Sequence, residues 1–288
     1  MKINGYTLDE DQLKPILENK PNSLIIAGAG SGKTLTLIGK IKYLLNQGYA
    51  TSEEILCLSF TNETVENLKA NIQKNCHTLC PVYTFHKLAL TILKEKNFTI
   101  ASPTLLEETI TEFFASACLG NQTLQNLIYR KFTLLKKPWT KLINTRPLLN
   151  YQKNILTFIN LLQNKNLSLE DFKSLFSNPK YRTDLCILYA ILLLYENEKQ
   201  STNSIDFDDM IKLATQSLKE HKPSHPYKYI IIDEFQDTSI VRFNLIQEII
   251  NLTNASLCVV GDDYQSIYRF SGCDNNLFLN LSLIHISE

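Results

Sequence analysis

The sequence has no apolar run long enough to cross a membrane and no apolar segment near its start. Its longest apolar stretch, Cys186–Tyr195, is far shorter than the roughly 20 residues that a membrane-spanning helix needs, and it predicts a buried helix instead. The opening residues, MKINGYTLDEDQ, lack the apolar run of a signal peptide. We therefore expect a cytoplasmic protein with no membrane partner.

Regularly spaced cysteines and a complete set of zinc ligands are also missing. The seven cysteines are an odd number at irregular spacings, which excludes a simple disulfide framework and favours a reducing compartment. Cys76, His77 and Cys80 lie close together, but no second pair of ligands follows at a suitable spacing. The sequence therefore gives no reason to expect a zinc site.

The chain has no net charge, because 29 Lys and Arg residues balance 29 Asp and Glu residues. The balance is uneven along the chain, since residues 121–182 contain eleven Lys and Arg but only two acidic residues, Glu170 and Asp171. A basic region on an otherwise acidic protein favours a polyanionic partner. A basic helical surface that is solvated and has no such partner is an equally supported alternative.

Short apolar runs alternate with helical patterns in the first part of the chain. This rhythm predicts a parallel sheet with helices on both faces. The predicted strands are Ser23–Ala27, Ile55–Ser59 and Pro81–Thr84, and the predicted helices are residues 32–46 and 63–74. Strand signals vanish between about Ala89 and Ser201, where apolar residues recur at helical spacing, and they return at Tyr229–Asp233 and Leu257–Gly261.

This pattern predicts one α/β domain that is interrupted by an insertion. We place the first part of the domain at residues 1–90, an all-helical insertion at 91–202, and the second part of the domain at 203–280.

The segment Leu24–Thr34 reads LIIAGAGSGKT, which is an apolar strand, a glycine-rich turn and the start of a helix. Glycines let backbone N–H groups surround phosphates, and the N-terminus of the helix adds its dipole. This pattern predicts a P-loop in which Lys33 reaches the β- and γ-phosphates of ATP and the Thr34 hydroxyl binds Mg²⁺. The residues predicted to hold ATP are Ala27, in a place where the pattern commonly has Gly, and Gly28, Ala29, Gly30, Ser31, Gly32, Lys33 and Thr34.

A second segment, Tyr229–Asp237, reads YIIIDEFQD. Three isoleucines indicate a buried strand, and an acid at the carboxyl end of a parallel strand lies beside the phosphate loop. We predict that Asp233 holds Mg²⁺ and that Glu234 activates the attacking water. An acidic surface turn is the alternative.

Five further segments read, in order along the chain, YTLDEDQ, LSFTNETVENLK, TFHKLAL, IDFDDMI and VVGDDYQSIYRFSG. They resemble, in the same order, the motifs of the UvrD/Rep family of superfamily 1 DNA helicases. The resemblance implies that Gln12 reads the adenine edge and that Gln265 senses the γ-phosphate and takes part in catalysis with Lys33, Asp233 and Glu234. It also implies contacts to single-stranded DNA from Phe60, Thr61, Asn62, Phe85, His86, Tyr268 and Phe270.

The resemblance implies a RecA-like fold for the α/β domain and an ATP-dependent helicase that moves 3′ to 5′. The phrases IAGAGSGKT, TFHKL and IYRFSG are most similar to the helicase IV group, and Ser271 fits that group although the wider family usually has Arg there. The aromatic DNA-binding residues are suited to stacking on bases, and the basic insertion to contacting the backbone of partly duplex DNA.

Three alternatives stay open. DEFQDTS also resembles the helicase portion of RecB/AddA nuclease-helicases, a P-loop kinase shares the phosphate loop, and a truncated fragment could bind DNA without activity. The family hydrolyses ATP between two RecA-like domains, and nothing after Gly272 resembles the second. Because the second domain supplies arginines to the γ-phosphate, we expect the fragment alone to be inactive. The last eight residues, LSLIHISE, resemble a translated sequencing adapter, so we expect residues 281–288 to be non-native, with an ordinary divergent C-terminus as the alternative.

Overall fold

A computed structural model of the chain describes residues 1–18, 20–28, 30–93, 97–117, 121–132, 139–142, 144–165, 181–220 and 227–262. Within these residues the chain forms two compact units. The first unit contains residues 1–93 and 210–262, and the second contains the described residues between 97 and 209.

The strands and helices are numbered in chain order. The strands are β1 (Lys2–Ile3), β2 (Tyr6–Thr7), β3 (Asn22–Ile26), β4 (Ile55–Ser59), β5 (Val82–Thr84), β6 (Thr99–Ile100), β7 (Ser204–Ile205), β8 (Tyr229–Ile232) and β9 (Ser256–Gly261). The helices are α1 (Glu10–Leu17), α2 (Lys33–Asn46), α3 (Asn62–Cys76), α4 (Phe85–Ile92), α5 (Leu105–Glu112), α6 (Gln122–Lys131), α7 (Trp139–Leu142), α8 (Arg146–Asn164), α9 (Arg182–Ser201), α10 (Phe207–Glu220) and α11 (Ile240–Thr253).

The first unit is built on a five-stranded sheet in the order β3-β9-β8-β4-β5. All four strand pairings are parallel. Every residue of β4 and β8 is buried, which is typical of parallel strands that are covered on both faces. The predicted α/β fold with a parallel sheet flanked by helices is therefore confirmed.

Helix α2 packs on the sheet through an apolar stripe, and α1 packs on α2. Ile38 and Ile41 of α2 are fully buried in one core with Ile231 and Val260 of the sheet. Gly39 allows α1 to approach closely, because a Cβ at this position would lie 2.6 Å from the Cδ1 atom of Ile16.

Lys40 holds the end of α1 in place. Its buried ammonium donates to the carbonyl oxygens of Pro15 and Ile16, each at 3.2 Å. These bonds satisfy carbonyl groups that the end of a helix leaves without partners. They also fix α1, which carries Gln12, against the helix that follows the phosphate loop.

The second unit is mostly helical and has its own apolar core. Phe113, Phe114, Ile159 and Ile191 lie at its centre. The buried helix predicted at Cys186–Tyr195 lies within α9. No helix in the described part of the chain has both the length and the apolar content that crossing a membrane requires.

The prediction that strands are absent from this region was wrong in one respect. Strand β6 pairs in parallel with β7, with Thr99 opposite Ser204 and Ile100 opposite Ile205. A two-residue strand is too short to give an alternating pattern, so the sequence did not show it.

The second unit extends to Asp209, past the boundary that we predicted at residue 202. The buried ammonium of Lys199 lies 3.0 Å from a carboxylate oxygen of Asp206 and also pairs with Asp209. These ion pairs and the β7 strand tie residues 204–209 to α9.

Candidate nucleotide and nucleic-acid site

The candidate site lies where three neighbouring strands end. Ile26, the last residue of β3, is paired with Gly261 of β9, and Ile232 of β8 is paired with Val259 of β9. The turn after β3 and the acidic residues after β8 therefore leave the sheet at the same edge. Ligands in open α/β folds bind outside this edge.

The described residues of the turn between β3 and α2 have the backbone of a phosphate loop. Gly30 and Gly32 have φ angles of 74° and 85°, a left-handed conformation that favours glycine. The Ser31 hydroxyl donates to the carbonyl oxygen of Gly28 at 2.7 Å and closes the turn. Helix α2 begins directly after Gly32 without a side-chain cap, so the loop ends in backbone N–H groups suited to an anion.

Lys33 and Glu234 meet at this edge, although 201 positions separate them in the sequence. The Lys33 ammonium lies 3.1 Å from a carboxylate oxygen of Glu234. The Lys33 side chain is 9% exposed and that of Glu234 is 34% exposed, so solvent reaches the ion pair mainly through Glu234. The structure thus brings together the predicted phosphate ligand and the predicted base.

Asp233 lies beside this pair and is buried. The backbone N–H of Glu234 donates to its carboxylate at 3.0 Å. Burial and the negative charge of Glu234 raise the pKa of Asp233 to about 6, although the hydrogen bond from the Glu234 backbone and the charge of Lys33 oppose this. The pKa of Asp237 is also raised, by burial and by the negative charge of Glu234.

The cluster of Asp233, Glu234 and Asp237 around one lysine fits a Mg²⁺–triphosphate. Burial and the charge of Glu234 raise the pKa values of Asp233 and Asp237, and a divalent cation beside them would favour their charged forms. Mg²⁺ binds through one or two carboxylates and takes its other ligands from water and phosphate. Among the described residues, no group of three or more His, Cys, Asp or Glu side chains is arranged to hold a metal ion. Asp233 and Thr34, the latter exposed at the start of α2, are oxygen donors of the right kind.

Gln12 lies against the phosphate loop. Its side-chain amide donates to the carbonyl oxygen of Ser31 at 2.9 Å, and its carbonyl oxygen accepts from the backbone N–H of Asp9 at 3.1 Å. A side-chain amide has two donor hydrogens and two acceptor lone pairs. One donor and one acceptor position of Gln12 therefore remain beyond these two bonds, which is what reading an adenine edge requires.

The predicted DNA-binding residues at the starts of α3 and α4 follow two adjacent strands, β4 and β5. Ser59 of β4 is paired with Thr84 of β5, so Phe60 and Phe85 leave the sheet side by side. Their ring centroids are 5.3 Å apart, at an interplanar angle of 45°. Phe60 is half-buried, whereas Phe85 is only 2% exposed. In this conformation Phe85 supports the Phe60 ring and has no exposed face of its own.

The polar residues of the same segments differ in their surroundings. The Thr61 hydroxyl caps α3 by accepting from the backbone N–H of Thr64 at 3.1 Å, and Asn62, the first residue of α3, is exposed. His86 is half-buried. Burial and, to a smaller extent, the charge of Arg242 lower the pKa of His86 to about 4, so its imidazole is neutral at pH 7.

The geometry agrees with a comparison of sequences. Residues 8–283 match the UvrD/REP helicase N-terminal domain. The chain belongs to this family. Similar proteins include the ATP-dependent DNA helicase Rep of Buchnera aphidicola (strain Sg), which is 31% identical over 92% of this chain and 39% of the relative.

Two further relatives of the UvrD/REP family are similar over almost the whole chain. DNA helicase IV of Escherichia coli (strain K12) is 26% identical over 96% of this chain and 43% of its own length. The ATP-dependent DNA helicase PcrA of Staphylococcus epidermidis (strain ATCC 12228) is 27% identical over 93% of this chain and 35% of its own length. The chain therefore spans about two fifths of the length of these UvrD/REP relatives.

Two residues near the site were not among the predicted ones. Gln236 is buried, donates to Glu234 at 2.8 Å and accepts from the backbone N–H of Asp262 at 3.0 Å, so it links the ends of β8 and β9. The guanidinium of Arg242 lies over the Phe60 ring, 5.4 Å from its centroid. Gln236 lies within the acidic segment itself, whereas the sequence held no sign that Arg242 reaches Phe60. Of the predicted residues, Ala29, Gln265, Tyr268 and Phe270 lie outside the described part of this UvrD/REP domain.

Proposed function

We propose that this chain is the ATP-binding and single-stranded-DNA-binding portion of an ATP-dependent DNA helicase that moves 3′ to 5′. The observation that carries the proposal is the contact between Lys33 and Glu234 at the carboxyl edge of the parallel sheet. This contact supports a site for a nucleoside triphosphate. Membership of the UvrD/REP family supports the coupling of that site to DNA.

In this proposal each residue at the sheet edge has one task. The loop Gly28–Thr34 surrounds the phosphates with backbone N–H groups, and Lys33 leaves Glu234 to contact the β- and γ-phosphates. Asp233 and Thr34 hold Mg²⁺, which when bound neutralises phosphate charge. Glu234 accepts a proton from the attacking water, while Gln12 orients the adenine.

DNA binding is assigned to the segments that follow β4 and β5. The half-buried Phe60 offers a ring for base stacking, which contributes about 1–3 kcal/mol per base and tolerates any sequence. Thr61, Asn62 and His86 lie in the same two segments and would contact the strand next to that base. The basic residues of the second unit are proposed to contact partly duplex DNA, with an affinity that falls as salt rises.

Hydrolysis at a useful rate is proposed to need a second RecA-like domain. Arginines that reach the γ-phosphate from another domain contribute roughly 10³–10⁵ in rate in related phosphoryl-transfer enzymes. The relatives are more than twice as long as this chain, so they have room for such a domain. We therefore expect the 288-residue chain to bind Mg·ATP but to hydrolyse it negligibly.

The test measures two binding reactions of the purified chain. A fluorescent ATP analogue with Mg²⁺ reports nucleotide binding, and a labelled oligodeoxythymidine reports DNA binding by anisotropy. We expect both to bind, and we expect Lys33→Ala to weaken nucleotide binding by roughly 10- to 100-fold while DNA binding without nucleotide is unchanged.

The alternatives give different results. A small-molecule kinase would bind Mg·ATP but not the oligonucleotide, and a DNA-binding fragment without nucleotide function would bind only the oligonucleotide. Rapid hydrolysis by the chain alone, abolished by Lys33→Ala, would show that no second domain is needed.

A further inference from the structure

Arg242 lies in the first turn of α11, close to the paired rings of Phe60 and Phe85. Its guanidinium carbon is 5.4 Å from the centroid of the Phe60 ring and 6.0 Å from that of Phe85. Both distances are within the range of about 6 Å over which a cation is attracted to an aromatic ring. The guanidinium also donates to the carbonyl oxygen of Asp237 at 3.3 Å, so it is anchored at its other end.

The rings of Phe60 and Phe85 differ in their exposure to solvent. Phe85 is 2% exposed and packs beneath Phe60, which is only half-buried. Phe60 is therefore the ring that can receive a base, and Phe85 and Arg242 are the groups that fix its position. A ring that is fixed before binding loses less conformational entropy when a base stacks on it.

The electrostatics of the same region agree with this arrangement. The charge of Arg242, after burial, contributes to the lowered pKa of His86, which is about 4. The guanidinium is thus close enough to act on both DNA-facing segments. It supplies positive charge at pH 7, whereas His86 does not.

We infer that Arg242 is a positioning residue for single-stranded DNA, which holds the Phe60 ring in place as a stacking platform through a cation–π contact. The inference rests on the proposed function, because it assumes that Phe60 receives a base. It assigns to Arg242 a specific action through Phe60, distinct from a general attraction for phosphates.

The salt dependence of binding separates these two actions. A lysine or arginine that contacts a phosphate of single-stranded DNA contributes about 0.7 to the slope of log affinity against log salt concentration. A residue that acts only by orienting a ring changes the affinity and leaves that slope unchanged. Because orientation acts through Phe60, it also has no effect once the ring is absent.

The experiment uses the full chain and a labelled oligodeoxythymidine over a series of salt concentrations. The variants are Arg242→Gln, Phe60→Ala, the double variant, and Lys219→Gln as a control that removes an equal charge from an exposed position of the same unit. We expect Arg242→Gln to weaken binding about tenfold with an unchanged slope, and Lys219→Gln to change it by less than about twofold. The double variant should bind no more weakly than Phe60→Ala.

Two results would overturn the inference. In one, Arg242→Gln binds like Lys219→Gln; in the other, its effect adds to that of Phe60→Ala and lowers the salt slope, which identifies a phosphate contact. Arg242→Lys keeps the charge without the planar guanidinium, and we expect it to restore only part of the affinity. If the unaltered chain binds no single-stranded DNA, the proposed function itself fails.

A measurement without DNA tests the geometry and reports on folding. The imidazole signals of His86 in an NMR titration should show a higher pKa in Arg242→Gln than in the unaltered chain, since a nearby positive charge has been removed. An unchanged His86 pKa would show that the guanidinium does not lie at this position, which would also overturn the inference.

Discussion

The ammonium of Lys33 lies 3.1 Å from the carboxylate of Glu234, so the proposed phosphate ligand is paired with the proposed base. Glu234 also accepts from Gln236 at 2.8 Å on the same oxygen. In the proposed function, a triphosphate that enters the loop takes Lys33 away from Glu234, while Gln236 keeps the carboxylate in place. Nucleotide binding would then free Glu234 to act as the general base.

Substitutions at the two ends of this ion pair should affect nucleotide binding in opposite directions. Lys33→Ala removes a charged hydrogen-bond donor worth about 1.5–3 kcal/mol, so Mg·ATP affinity should fall by roughly 10- to 100-fold. Glu234→Gln removes the competitor for Lys33 and keeps the shape, so affinity should rise slightly, by up to about threefold. Titration of a fluorescent ATP analogue measures both.

Equal losses in both variants would contradict this competition. The control is Glu220→Gln, an exposed acidic position on α10 in the same unit. It changes the net charge as Glu234→Gln does and should leave the affinity unchanged.

The raised pKa of Asp233 predicts a dependence of stability on pH. Because burial raises its pKa from 3.8 to about 6, the folded state binds a proton more tightly than the unfolded state. The free energy of unfolding should therefore fall as pH rises towards the folded pKa and level off above it. Between about pH 5 and about pH 7.5 this group should lower it by about 1 kcal/mol.

Urea unfolding of Asp233→Asn at both pH values tests this directly. Asparagine keeps the oxygen that accepts from the backbone of Glu234 but cannot ionise. The variant should be more stable than the unaltered chain at the higher pH, and the difference should shrink at the lower pH. A difference that is the same at both pH values would show that Asp233 has an ordinary pKa.

Much of the sheet was predictable from local patterns, because buried parallel strands are continuous apolar runs. The strand predicted at Ile55–Ser59 has the observed bounds, and the helix predicted at residues 32–46 begins one residue later, at Lys33. The glycine-rich turn and the acidic strand end are similarly local. Their meeting follows from the general rule that ligand-binding residues lie at the carboxyl ends of parallel strands.

What the sequence did not show depends on contacts between distant residues. The neighbouring residues do not show whether an aromatic side chain is exposed, so the sequence predicted DNA contacts for Phe60 and Phe85 alike. Only the packing of the folded chain buries Phe85. Arg242 reaches these rings from a helix that lies far along the chain. The pairing of Thr99 with Ser204 likewise joins two segments with no strand pattern of their own.

Gly32 is predicted to matter for nucleotide binding beyond its backbone angle. Gly32 and Gly5 both have positive φ angles, but a Cβ at Gly32 would lie 2.6 Å from the side-chain nitrogen of Gln12, whereas one at Gly5 would meet nothing within 4 Å. Alanine at either position should lower the free energy of unfolding by about 1–2 kcal/mol. Only Gly32→Ala should displace Gln12 from Ser31 and weaken Mg·ATP binding, by about tenfold or more.

Unfolding in urea and titration with the ATP analogue together check this pair of variants. If Gly5→Ala weakens nucleotide binding as much as Gly32→Ala does, the loss reflects general destabilisation. If neither variant weakens it, the contact between Gln12 and the loop has no part in binding.

Lys199 should be one of the most sensitive positions in the second unit. It is 2% exposed and pairs with Glu196 and Asp206, each at 3.0 Å, and with Asp209. Removing one member of a buried ion pair costs about 3–5 kcal/mol, because the partners keep uncompensated charge. We expect Lys199→Met to lower the free energy of unfolding by this amount, as measured by urea denaturation.

The exposed pair of Lys69 and Glu66 provides the matched comparison, since Lys69→Met removes the same charge and should cost less than about 1 kcal/mol.

The pH dependence of the free energy of unfolding gives a further check on Lys199. Burial raises the pKa of Asp206, but Lys199 and the hydrogen bonds outweigh this and hold it below its usual value. Its contribution to stability is present above the unfolded pKa and is lost as pH falls through the folded pKa, so the difference between Lys199→Met and the unaltered chain should narrow in acid. Similar costs for the two Lys→Met variants at neutral pH would show that the ion pairs around Lys199 do not hold residues 204–209 to α9.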